Sequence, residues 1–512
     1  MGETFWDLVD AAAENHPDRC VLADDFGRSL TNAQLRNAAE RTAAALAQHG
    51  IGSGTVVSWQ LPTTLETMVV SVALTRLGAT QNPILPIWRE SEVGFVTAQL
   101  GTEVILVPGL WRGFDHVALA HRLAENRPMT VLVIDHETPV VDALRVPVGD
   151  PASLPAPPSD ATLPRWIYYS SGTTAAPKGV RHCDRSVIAG SAGVVRMIGA
   201  TSDDVNPIAF PISHIGGAAM LAASLLTGMR MVLFDEFDPV RTPRAIAAHR
   251  PTLLGSATPF FVAFMTAQRE QGGEPLFPEL RGCVAGGAPI TPELGRQVRE
   301  TLSVAGVANS WGLTEFPVAT SPPPDGPPEV LDHTVGRPVP GVSVRVVDEN
   351  EREVAVGEEG ELRLKGPQCF LGYVDEALNA DAFDADGWFR SGDRGRVDAD
   401  GNVVVTGRIK DAIIRNAETI SALEIEGVLA TRPAVADVAV IGVPDPRTGE
   451  RVCAVVVAQP GAEVNLPMLA EHCQSKGLSR HKSPERLEIV EALPRNLTGK
   501  VLKNDLRARF SA

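Results

Sequence analysis

Apolar residues recur at helical spacing through "LTNAQLRNAAERTAAALAQHG" and then run together in "TVVSWQL", which predicts a helix followed by a strand. The pairing returns as "SEVGFVTAQLG" with "EVILVPG", and later as "RTPRAIAAHR" with "PTLLGSA". Alternation of this kind from Phe5 to about Gly228 reads as α/β architecture. The stretch "VPVGDPASLPAPPSDATLP" is rich in proline and small residues and reads as a surface loop. After Gly336 the pattern shortens to strands with turn signals, "SVRVVDENEREV", "GELRLKG" and "GRVDADGNVVVTGR", so a small β-rich subdomain is expected over about 336–408. Beyond Arg408 a helix ("ALEIEGVLATRP"), two strands ("ADVAVIGV" and "RVCAVVVAQ") and a helix near "NLPMLAEHCQSKG" predict an α+β unit over 409–512, long enough to fold separately. The fold class is therefore α/β, with a large N-terminal domain of several subdomains over 1–408 and a small C-terminal domain. No repeat of fixed period is present.

The 512 residues exceed one ordinary core and imply two to four domains. A content of 44% hydrophobic and 21% charged residues is that of a folded globular protein. The formal net charge of −16, with no long basic block, argues against nucleic acid and anionic membrane surfaces as partners. Six cysteines stand far apart without a Cys-x-x-Cys pair, which suggests neither a zinc site nor a disulfide framework. The first residues lack the pattern of a secretory leader or a myristoylation motif, and no apolar run reaches the roughly 18 residues that spanning a bilayer needs. A cytoplasmic protein without membrane insertion is expected.

The chemistry begins at "YYSSGTTAAPKGV". Small hydroxyl residues and Gly172 contribute little buried area, but they suit a backbone that wraps an anion, with Lys178 adding charge. The spacing differs from that of a Walker loop, and by itself the segment could equally be a polar turn with an exposed lysine. Trp311 beside Gly312 offers a flat face for a base, and Glu315 a hard oxygen for magnesium; a core tryptophan and a solvated glutamate are the plainer alternatives. Asp393 could accept from two vicinal hydroxyls with Arg408 donating nearby, or could simply cap a turn beside a surface charge.

The segments in their order, "SSGTTAAPKG", "PISHIGG", "AGGAPI", "NSWGLTE", "SGDRGRVDADGNVVVTGRIKD" and "LTGK", resemble the adenylate-forming superfamily of acyl-CoA synthetases, peptide-synthetase adenylation domains and luciferases over essentially the whole chain. In texture the chain is nearest to ligases of cyclic, aromatic or medium-chain acids. The resemblance implies that Ser170, Ser171, Gly172, Thr173, Thr174 and Lys178 hold the phosphates of ATP. It implies that Gly286, Gly287, Ala288, Asn309, Ser310, Trp311 and Gly312 line the adenine side, that Thr314 meets a phosphate, and that Asp393 and Arg408 meet the ribose. Glu315 and Thr173 would hold Mg2+. His214 would lie beside the acyl pocket, and Lys500 would reach the α-phosphate, with Thr173 as a further catalytic group. Lys503, Arg495 and Arg507 are expected to be solvated.

The implied reaction joins a carboxylic acid to AMP with loss of pyrophosphate, then passes the acyl group to the thiol of coenzyme A. By the same resemblance the C-terminal domain is mobile and pivots at Lys410. Pocket walls are expected around Phe210–Met220, Ser256–Phe261 and 285–288, with Gly216 and Gly217 leaving room for an apolar or aromatic acid. Two segments depart from the family pattern. Ala175 replaces a glycine of the phosphate loop, and Asn416 and Ala417 replace a glycine pair whose second member lines the coenzyme A tunnel. An acceptor other than coenzyme A is therefore a second reading: an amine, a carrier protein, or activation of another small oxyacid. A nucleotide-binding protein without catalysis is a third. A homodimer is compatible with all of them.

Overall fold

The computed structural model describes residues 4–135, 144–170, 177–415, 418–496 and 499–511. The helix Leu65–Leu77 is buried along its whole length and has no polar face for periodicity to reveal. Its position explains why: Leu65, Met68, Val69 and Val72 share one core with Leu22, Met231 and Leu233, while Val70, Ala73, Leu74 and Leu77 share another with Val57, Trp59, Val104 and Leu106. Thr64 caps its start, and Gly78 at φ 67° ends it.

The sheets on its two sides are mixed. One runs in the order Lys178–Cys183, Pro164–Ser170, Thr80–Pro83, Val56–Trp59, Val104–Val107, Thr130–Val133, parallel throughout except for the antiparallel first pair. The other has four strands in the order Val205–Ile208, Arg230–Leu233, Cys20–Asp24, Ser29–Thr31. A third, wholly parallel sheet follows in the order Leu253–Ser256, Gly282–Gly286, Val307–Ser310.

Ser343–Val347, Gly360–Lys365, Phe389–Val397 and Val403–Arg408 form an antiparallel sheet, as the turn signals predict. The last sheet draws its five strands from Ile413–Arg415, Glu418–Ile420, Val435–Asp445, Gly449–Ala458 and Arg486–Ile489. Two cores flank it, one of them holding Leu506 and Phe510 of the final helix Lys503–Phe510. The architecture is mixed α/β with a large N-terminal and a small C-terminal domain. The helices and strands named from the sequence are all present. Arg486–Ile489 and Lys503–Phe510 escape the sequence pattern because both are short and half-exposed.

The proline-rich stretch is irregular apart from a short 3-10 turn at Pro151–Ser153 and a turn at 161–162, until its last residue opens the strand Pro164–Ser170. Among the described residues no helix is long and apolar enough to cross a membrane.

Candidate active site

The three parallel strands end together: Ser256 pairs with Ala285, Ala285 with Asn309, and Gly286 with Ser310. In open α/β sheets the crevice beyond the carboxyl ends of the strands is where ligands bind. The loops that leave this edge carry Gly287, Ala288, Trp311, Gly312, Thr314 and Glu315. Gly287 lies at φ +79° with nothing within 4 Å of where a Cβ would stand, so this turn faces open space. The Asn309 Oδ1 is buried without a hydrogen-bond partner. The Ser310 hydroxyl donates to Ser321 Oγ at 2.9 Å.

Trp311 is likewise engaged within the protein. Its ring is packed in a core with Val180, Phe316 and Phe389, and its indole N–H donates to Asp393 Oδ2 at 2.8 Å. Gly312 is required by a close approach, since a Cβ there would stand 2.5 Å from the Val318 backbone nitrogen. The turn that follows presents Thr314 and Glu315. The Thr314 carbonyl accepts from His182 Nε2 at 2.7 Å, and Glu315 Oε1 accepts from the Tyr373 hydroxyl at 2.8 Å. Burial lowers His182 to about 4, so the imidazole is neutral, with its proton on the nitrogen that faces the carbonyl. Burial first, then the Glu315 charge, pushes the Tyr373 phenol up and keeps it a donor. The Lys178 Nζ stands 5.3 Å from the Tyr373 ring centroid, so one aromatic residue touches both Lys178 and the candidate metal ligand.

Lys178 opens the strand Lys178–Cys183, and Ser170 closes its antiparallel partner. Ser171, Gly172, Thr173 and Thr174 lie outside the described residues, as do Ala175, Asn416 and Ala417, and the Ser170 side chain is likewise not described.

Asp393 is 4% exposed and sits opposite Arg408 across the antiparallel sheet. Burial raises its pKa, opposed in turn by Arg408, the Trp311 hydrogen bond and Lys500. Arg408 Nε stands 3.2 Å from Oδ1, yet Oδ1 makes no hydrogen bond. A buried carboxylate with one oxygen unsatisfied is ready to accept from a ligand hydroxyl.

Lys500 comes to the same place from the far end of the chain. Its side chain senses Arg408, Asp411 and Asp393, and burial, reinforced by Arg408, lowers its pKa to about 8. Lys410 is exposed on the short turn Ile409–Asp411. The neighbouring cations are not solvated as expected: Lys503 pairs with Glu426 at 2.7 Å, Arg495 with Asp437 at 2.7 Å, and Arg507 with Asp411 at 2.8 Å. These pairs brace the segment that carries Lys500.

His214 is the N-cap of the helix Ile215–Thr227, where its Nδ1 accepts from the Gly216 N–H at 3.2 Å. Burial lowers it to about 4, so it too is neutral. A Cβ on Gly217 would lie 2.1 Å from the Ile212 carbonyl oxygen, so this glycine serves close packing and leaves no room for a ligand. A Cβ on Gly216 would stand 3.4 Å from the Phe210 ring.

His182 and Tyr373 are the residues that sequence reasoning missed. His182 shares the strand face of Lys178 and Val180 by period two, and Tyr373 is one of only three tyrosines, so each left a faint signal.

Comparison with known proteins gives the same picture. Residues 9–374 match the AMP-binding enzyme family, and residues 424–500 match the AMP-binding enzyme C-terminal domain. A salicyl-AMP ligase / salicyl-S-ArCP synthetase of Mycobacterium tuberculosis is 34% identical, over 98% of this chain and 90% of the relative. A medium-chain fatty-acid–CoA ligase of Escherichia coli is 31% identical, over 98% and 89%. Among solved structures, ATP-bound MatB from Rhodopseudomonas palustris superposes with a TM-score of 0.87 at 27% identity, covering 100% of this chain and 99% of the other. The chain belongs to the AMP-binding enzyme family and is an ATP-dependent, adenylate-forming acid ligase.

Proposed function

We propose that the protein activates a largely apolar or aromatic carboxylic acid as its acyl-adenylate and passes the acyl group to the thiol of coenzyme A. The observation that carries the adenylation half is the buried Asp393 carboxylate, clamped by Trp311 and paired with Arg408 with one oxygen unsatisfied, within electrostatic reach of Lys500.

In this reading Asp393 accepts from the ribose hydroxyls of ATP through its unsatisfied Oδ1, while Trp311 holds the other oxygen in place. The turn at Gly286, Gly287 and Ala288, together with Asn309, borders the adenine. Lys178 and Thr314 face the phosphates. Among the described residues no group of three or more His, Cys, Asp or Glu could hold a metal, so Glu315 stands as a single carboxylate. That donor set fits Mg2+, which takes one or two carboxylates plus substrate phosphates. Magnesium held by Glu315 would neutralise charge on the triphosphate.

As the carboxylate oxygen bonds to the α-phosphorus and the bond to pyrophosphate breaks, the Lys500 ammonium opposes the charge that gathers there. At neutral pH a group titrating near 8 is mostly protonated. Thiol attack on the acyl carbon then releases AMP. We place the domain boundary at 408/409 and the pivot between the two half-reactions at the exposed Lys410.

An apolar acid is favoured because Phe210–Met220, Ser256–Phe261 and 285–288 contain no Asp, Glu, Lys or Arg, and their one titratable group, His214, is neutral. The six cysteines are free, which fits a reducing cytoplasm. A second reading keeps the adenylate and changes the acceptor, since the Mycobacterium tuberculosis relative is named for transfer to a carrier protein.

Mass spectrometry of products from the purified protein, given ATP, Mg2+ and a mixed acid library with coenzyme A added or withheld, tests both. The expected products are AMP, pyrophosphate and an acyl-CoA. AMP without any acyl-CoA would reject coenzyme A as acceptor, and no pyrophosphate with any acid would reject adenylation.

A further inference from the structure

The described residues on either side of 497–498 are held to one another. Asn496 N–H donates to the Lys500 carbonyl and Gly499 N–H to the Asn496 carbonyl, both at 2.9 Å, and Arg495 and Val501 form a backbone bridge. Arg495 spans the loop, donating to the Gly499 carbonyl at 2.5 Å while paired with Asp437. Gly499 and Lys500 are thus braced by Arg495 and Asn496 before they meet anything else.

What it meets is the corner at Ala257 and Pro259. A Cβ on Gly499 would stand 2.7 Å from the Ala257 Cβ and 3.3 Å from the Pro259 Cδ. Gly499 also lies at φ +81°, where a side chain is strained. Ala257 follows the strand Leu253–Ser256 and is the N-cap of the helix Thr258–Gln271, is 0% exposed, and shares a core with Phe260, Phe261 and Ala285. Alanine is a poor N-cap, and this helix has no side-chain cap hydrogen bond. The position forgoes a serine or threonine, and the space such a side chain would need is where Gly499 sits.

We propose that Ala257 and Pro259 form the seat of the lysine loop and that Gly499 is the positioning residue that lets Lys500 close to reacting distance of the α-phosphorus. This inference rests on the adenylating function proposed above. Gly499 touches no substrate; it acts through Lys500. Because Ala257 lies in the expected pocket wall Ser256–Phe261, the seat couples the shape of the acid pocket to the placement of the lysine.

The test is acid-dependent ATP–pyrophosphate exchange by the full chain, with MgATP binding measured by calorimetry. Gly499→Ala should lower the kcat of exchange about a hundredfold, the scale of an ångström-sized misplacement, with the KM and Kd for MgATP unchanged. Adding Ala257→Gly should recover about tenfold of the loss, a coupling that strain at φ +81° alone would not show. Ala257→Val, which leaves the loop untouched, should reproduce the defect from the other side and covers the case in which Gly499→Ala fails to fold. Normal exchange by Gly499→Ala, or additive effects in the double variant, would overturn the seat while leaving adenylation standing. A wild type without exchange on any acid would overturn both.

Discussion

The indole N–H of Trp311 donates to Asp393 Oδ2 at 2.8 Å across 82 residues of sequence. A side chain that reads as a stacking surface is therefore also a clamp, and its hydrogen bond leaves the other carboxylate oxygen free for a ligand. Trp311→Phe keeps the ring and removes the donor. A hydrogen bond to a charged group contributes about 1.5–3 kcal/mol, so ATP affinity measured by calorimetry should fall about tenfold or more. Unchanged affinity would mean that the carboxylate is held by Arg408 alone.

Lys500 titrates near pH 8. If its ammonium opposes charge at phosphorus, the single-turnover rate of adenylation should decline as pH rises through about 8 and the proton is lost. Lys500→Ala should lower that rate by about 10²–10³-fold, the scale of removing one transition-state donor, should lack the alkaline limb, and should still bind ATP. A rate that stays level to pH 9.5 would remove the lysine from this role.

His182 is neutral in the folded chain, lowered from its ordinary 6.5 to about 4 by burial. The unfolded chain therefore binds the proton first. Stability from this residue is whole above about pH 6.5, falls as pH drops, and is lost below about 4, with a total on the order of 3 kcal/mol. Thermal unfolding followed between pH 7 and 4 should show a falling midpoint, and His182→Gln should flatten the slope. His214 is lowered to a similar value, so in this acid window the two imidazoles act in the same direction.

Tyr373 donates to Glu315 and stands under Lys178. Tyr373→Phe keeps the ring contact and removes the hydroxyl, leaving the carboxylate less well oriented. The Mg2+ concentration needed for half-maximal pyrophosphate release should rise several-fold, with the KM for the acid unchanged. A change confined to the acid would place the tyrosine in the acyl pocket instead.

The strands and amphipathic helices were readable because each buries one face and so writes a period into the sequence. Leu65–Leu77 was not, because cores on two sides erase the period, and neither was Gly217, whose closeness to the Ile212 carbonyl is set by a turn that packing alone defines. In the site, ionisable residues inside distinctive motifs, such as Asp393 and Lys500, could be singled out as candidates from the sequence. Residues that act on those groups at long range could not: the His182 link to Thr314 spans 132 positions and the Tyr373 link to Glu315 spans 58, and no local spacing records them.

The final helix has a practical consequence. Phe510 is buried against the last sheet and its carbonyl accepts from Arg486 at 2.7 Å, so the closing turn belongs to the frame that carries Lys500. Trimming that turn, or fusing a purification tag flush against it, would blunt the first half-reaction while the larger domain went on folding normally.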